Sequence, residues 1–140
     1  MNGRGLKMAK KEQVIEYMEQ HSLGTGSTPF IFIQKDTRVA QVLGGAIASL
    51  ATAKYFYLVL MENNQIGLIP VSALGRCMED YQILDPRCIT MYKSGMLQDH
   101  MAIDFGDSKK PVKFLIAHGR QKEEFEHLRQ LVANQGIASS

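Results

Sequence analysis

The strongest constraint on this 140-residue chain is a change of period in its second half. From Leu97 to Phe105 the odd positions Leu97, Asp99, Met101, Ile103 and Phe105 are mainly apolar, while Gln98, His100 and Asp104 occupy the other side. A two-residue period sends successive side chains to opposite faces, so the segment reads as a half-buried strand. Val112, Phe114 and Ile116 share one face of a second such strand, after the turn Gly106-Asp107-Ser108-Lys109. A sheet with one apolar face needs a cover. The chain supplies one directly: about Gln121 to Asn134 the period becomes helical, with Phe125, Leu128, Leu131 and Val132 as the buried stripe and Gly136 placed to stop it.

Upstream, Tyr55 to Met61 is a continuous strand-like run, Glu62-Asn63-Asn64-Gln65 is a turn, and Ile66 to Val71 is the returning strand. Asparagine tolerates the positive φ that tight hairpins need. Pro70 favours a sheet edge or a strand end, because it has no N–H to give to a ladder. Ala73 to Pro86 is irregular, Cys88 to Lys93 reads as a strand, and Ser94-Gly95 turns the chain. Near the start, Lys7 to His21 reads as a helix with Met8, Val14, Ile15 and Met18 on one side. Leu23 to Thr28 has the composition of a linker, and Pro29 leads into the short strand Phe30–Ile33. Residues 1–27 are thus read as a basic arm and helix with a linker, and residues 28–140 as an α+β domain.

Between these strands, Val39, Val42, Leu43, Ala46, Ile47 and Leu50 recur at helical spacing, predicting a helix that ends near Lys54. Gly44, Ala48 and Thr52 are four apart, as are Gly45, Ser49 and Ala53, a pattern that lets helices approach closely. The uncharged run from Val39 to Ala53 is fifteen residues, short of the roughly twenty that span a bilayer. The expectation is a packed helix and a homo-oligomer whose interface includes Val42, Leu43, Gly45, Ile47 and Leu50.

The order from Tyr55 onward carries a resemblance. A strand, a polar turn and a strand ending in Leu68-Ile69-Pro70 precede Ile89-Thr90-Met91-Tyr92-Lys93-Ser94-Gly95-Met96-Leu97, two more strands and a closing helix. This is similar to the bacterial pleckstrin-homology-like (PH-like) domains, particularly the YokE-like group, over about residues 55–134. Leu60-Met61-Glu62-Asn63-Asn64-Gln65-Ile66 stands where that group often has a Leu-Thr-Asn/Asp-Lys-Arg hairpin. The match is degraded, with Met61 in place of the threonine and Gln65 in place of the arginine. The resemblance implies a bent, partly open antiparallel barrel plugged at one end by the helix of Phe125 and Leu128. It implies no catalytic residues and no cofactor.

The residues themselves suggest no catalytic set. Gly24-Thr25-Gly26 follows a helix and precedes a strand, the reverse of a phosphate-binding loop. His100 and Asp104 would share a face but lie about 13 Å apart along a strand. Glu123 and His127, four apart on the last helix, lack the second histidine of a zinc-binding helix. Cys77 and Cys88 match no zinc or redox spacing and read as reduced core thiols. No signal peptide is recognisable, so a cytoplasmic protein is expected. Sixteen basic and fourteen acidic residues give +2, too little field to predict nucleic-acid binding. The leading expectation is a non-enzymatic binding or scaffold domain that self-associates or docks a protein. A peripheral membrane or lipid-binding module is the alternative, with Arg4, Lys7, Lys10 and Lys11 as its attachment point, since Glu62–Gln65 carries no basic residue for inositol phosphates. An enzyme with an unrecognised site is the third.

Overall fold

The computed structural model describes residues 11–36, 53–105, 111–119 and 121–135. Helix α1 (Lys11–Gln20) precedes seven strands: β1 (Phe30–Lys35), β2 (Tyr55–Leu60), β3 (Ile66–Val71), β4 (Gln82–Leu84), β5 (Ile89–Lys93), β6 (Gln98–Ile103) and β7 (Val112–Ala117). A 3-10 turn at Pro86–Cys88 joins β4 to β5, and helix α2 (Lys122–Asn134) ends the described chain. Every pairing is antiparallel, in the order β4-β3-β2-β1-β7-β6-β5. Two meanders, β1–β4 and β5–β7, therefore meet along the β1–β7 seam in one curled, half-closed sheet. This is the α+β, bent antiparallel architecture with a closing amphipathic helix and a preceding N-terminal helix that the sequence predicts.

The concave face holds the main core. Ile31 and Ile33 from β1, Phe56 and Leu58 from β2, Met101 and Ile103 from β6, and Val112, Phe114 and Ile116 from β7 converge under Phe125, Leu128 and Val132 of α2. On the outer face of β1–β4, Val14, Tyr17 and Met18 of α1 and the following Leu23 pack on Tyr57, Val59, Ile69 and Val71. Strands β2 and β3 are consequently buried on both faces, apart from the partly exposed Tyr55, which is why their sequences run apolar without alternation. Tyr17, absent from the expected stripe of α1, belongs to it, and its hydroxyl donates to the Met78 carbonyl oxygen. Leu23 opens a segment with linker composition, yet its side chain is buried.

Turn chemistry follows the sequence closely. Asn64 takes φ 61° in the β2–β3 turn. Pro70 sits near the end of β3, beyond the three residue pairs that β4 makes. Its carbonyl accepts from Met78 N, so its ring nitrogen also faces away from β2, where no ladder donor is needed.

Of the helix expected to end near Lys54, only Ala53 and Lys54 fall among the described residues, and neither is helical. Lys35 N donates to Lys54 O at 2.8 Å, so Lys54 already belongs to the β1–β2 ladder, and Ala53 is buried in the main core. The expected helix from Val39 and the proposed surface Val42, Leu43, Gly45, Ile47 and Leu50 lie outside the described residues. No helix among the described residues is long and apolar enough to cross a membrane.

Candidate binding seam and the Asp99 latch

Asp99 is the one acidic member of the inward-facing series on β6, and it is fully buried. The β5–β6 register pairs Tyr92 with Met101 and Lys93 with His100, which sets Asp99 at the mouth of the hairpin. Its Oδ2 accepts from the Tyr92 hydroxyl at 2.6 Å and from Arg129 of α2 at 3.4 Å. Its Oδ1 accepts from Gly95 N at 3.2 Å and meets His118 Nε2 at 2.9 Å. The His118 ring stands edge-on to Phe125 at 4.6 Å, and the Arg129 guanidinium lies over the same ring at 5.5 Å. One carboxylate thus ties together β5, the hairpin tip, the end of β7 and α2.

Burial alone would push the Asp99 carboxyl up. Hydrogen bonds from Tyr92, His118 and Gly95, with the Arg129 charge, outweigh burial and hold it below its usual value. Burial and the neighbouring Asp99 together push the Tyr92 phenol well above its usual range. Asp99 is an anion and Tyr92 a neutral donor, and each oxygen of the carboxylate already has two partners, which fills its acceptor capacity. The group acts as a latch. His100 faces the other side of β6, beside a 260 Å³ hollow shared with Lys93 and Lys113. The latch joins residues from Tyr92 to Arg129, a grouping that no local spacing predicts. Its only signal in the sequence was a carboxylate within an apolar alternation.

The thiols lie elsewhere, and burial pushes both Cys77 and Cys88 up to about 11. At neutral pH they are protonated and poor nucleophiles. Among the described residues no cluster of three or more His, Cys, Asp or Glu side chains could hold a metal ion.

A second feature is open. In the β1–β2 ladder the hydrogen-bonded pairs are the odd residues of β1, as Lys35 N to Lys54 O and Leu60 N to Pro29 O define. The even residues Phe30, Phe32 and Gln34 therefore turn their N–H and C=O toward β7. Strand β7 pairs with β1 only through Gln34↔Leu115 and Lys35↔Phe114, with Asp36 N donating to Lys113 O just beyond. At the next step the Gln121 carboxamide replaces the strand. Phe32 N donates to Gln121 Oε1 at 2.6 Å, and Gln121 Nε2 donates to Phe32 O at 3.2 Å and to Ala117 O at 3.0 Å. Gln121 also stands at the N-cap of α2, where its side chain makes no capping bond because it is committed to β1.

Past this wedge the seam widens into a cavity of about 360 Å³. One wall is the loop Gly26–Pro29 with the rings of Phe30 and Tyr57, which meet edge-to-face at 5.6 Å. The other wall is the first turns of α2, with Glu123, Glu124 and His127, and Lys11 stands at the rim. No described group pairs with the main-chain N–H or C=O of Phe30 on the seam side. Glu123 and His127, expected to be neighbours on a helix, are brought together here against β1, which no local spacing predicts.

The chain matches no family model, no curated protein and no solved structure. The reading of the site therefore rests on its geometry.

Proposed function

We propose that this chain is a non-enzymatic binding or scaffold domain of PH-like type that acts by docking a protein segment or a second copy of itself. The observation that carries the reading is the seam, where the edge of β1 at Phe30 has no strand neighbour among the described residues and lies beside a cavity. The most reactive-looking cluster supports it from the other side. The bonds of Asp99 are consumed internally, and both thiols are held protonated. Self-association is assigned to Val39–Ala53 on the sequence alone, through Val42, Leu43, Gly45, Ile47 and Leu50, and the protein is taken to work in the cytoplasm.

Light scattering at micromolar concentration is expected to give a mass above that of one chain, and Gly45→Leu to lower it. Co-sedimentation with vesicles containing inositol phospholipids is expected to leave the protein in the supernatant. The β2–β3 turn that would meet those headgroups has Glu62, Asn63, Asn64 and Gln65 and no cation. A monomeric mass together with vesicle binding would replace this reading with the lipid-binding one.

A further inference from the structure

The Gln121 carboxamide contacts Phe32 as a peptide unit of an adjacent strand would. It accepts from the N–H and donates to the C=O of one residue, and it reaches the facing Ala117 carbonyl as well. It is a one-residue substitute for a strand. The next outward-turned residue of β1 is Phe30, about 7 Å further along at the usual rise. Its main-chain donor and acceptor turn to the seam side of the strand, and Phe30 is among the residues that line the 360 Å³ cavity. That volume lies within the range of sites that bury small ligands.

We infer that the cavity receives an extended segment of a partner protein, which continues the β1 ladder at Phe30 and places an arginine or lysine side chain between the aromatic wall and α2. This rests on the binding-domain reading and names the chemistry of its partner. Main-chain pairing supplies the affinity and the side-chain slot the selectivity, as in strand addition generally. The residue directly opposite Phe30 shares its face, so its side chain starts beside the Phe30 and Tyr57 rings. Aromatic faces attract cations. Beyond them stand Glu123 and Glu124, which have no ion-pair or hydrogen-bond partner among the described residues. Lys11 at the rim offsets one of these two carboxylates, so the lining holds one more acidic than basic side chain. The lining therefore selects a cationic side chain over an acidic one.

The probe is the blocked tripeptide acetyl-Val-Arg-Val-amide, titrated into the ¹⁵N-labelled full chain. Amide shifts are expected at Phe30, Phe32 and Gln121, with slowed hydrogen exchange at Phe30. The same peptide with a methylated arginine nitrogen loses the donor to Phe30 O and is expected to lose these shifts. Replacing its arginine by glutamate should weaken binding about tenfold, the worth of one charge-assisted contact. Glu124→Gln should weaken the arginine peptide severalfold without weakening the glutamate peptide. Absence of shifts at Phe30 at millimolar peptide overturns the inference, as does equal binding of the methylated peptide. Phe30 shifts that depend on protein concentration without peptide would assign the seam to a second copy of the chain, also against it. None of these results alters the light-scattering test of the broader reading, so the two fail separately.

Discussion

Gly95 occupies a position where a side chain has no room: a Cβ built there would stand 2.2 Å from the Gln98 carbonyl oxygen. The obstacle is backbone, so the hairpin itself would have to open, and Gly95 N would leave Asp99. Gly95→Ala is expected to cost about 1–3 kcal/mol in a denaturant melt, the usual scale for forced repacking. An unchanged midpoint would mean that the tip adapts freely. Asp99→Asn should cost about 1–3 kcal/mol, because an amide nitrogen would then face donors that a carboxylate accepts. The pH dependence has a definite sign. The folded carboxyl lies below its usual 3.8, so the unfolded chain takes up this proton first as pH falls. The Asp99 contribution is complete above about pH 4 and is lost below it, as pH falls through the lower folded value. The stability gap between wild type and Asp99→Asn should be flat near neutrality and shrink in acid. A gap that persists unchanged to pH 2 would place its origin outside this carboxylate.

Among the elements, α2 was the most legible, because its apolar stripe meets the concave sheet in the expected way. Phe125 is only 4% exposed, meets the His118 ring at a right angle and carries the Arg129 guanidinium over its own ring. Phe125→Ala should therefore cost about 3–5 kcal/mol, with cavity formation adding to lost transfer energy. A loss below about half a kcal/mol would refute the packing of α2. The alternation of β7, and of Asp99, Met101 and Ile103 on β6, was equally clear, but Leu97, expected on the same buried face, precedes the strand and is exposed. Less legible were β2 and β3, whose unbroken apolar runs give no face, because α1 covers one side and the barrel core the other. The short β4 lies in a stretch whose sequence is irregular. Three residues with intermediate and exposed side chains carry no period to detect.

At the scale of the whole molecule, the two meanders share one sheet through a brief seam, and the seam is where the fold offers its open edge. Two of the contacts that define it join residues 89 apart in sequence, Phe32 and Gln121. Closure of the half-barrel thus relies on a side chain standing in for a strand. The peptide titration and the light-scattering experiment both address this scale. The first asks whether the open edge is used, the second whether Val39–Ala53 joins copies of the chain.

The bent antiparallel form was implied by the resemblance, whereas periodicity and turn chemistry, which are local, were enough to predict a sheet covered by the closing helix, the Asn64 turn and the placement of Pro70. Each follows from steric or hydrogen-bonding rules acting over a few residues. The inward position of Asp99 was also implicit in its alternation. Its four partners were not, because Tyr92, Gly95, His118 and Arg129 meet only after two strands and a helix have been packed together. The seam was wholly invisible in sequence. A glutamine before a helix reads as a cap, and only the divergence of β7 from β1 turns its carboxamide into a wedge and leaves Phe30 without a strand neighbour among the described residues. Local rules decide which way a strand faces, and tertiary packing decides which strand or side chain lies along its edge.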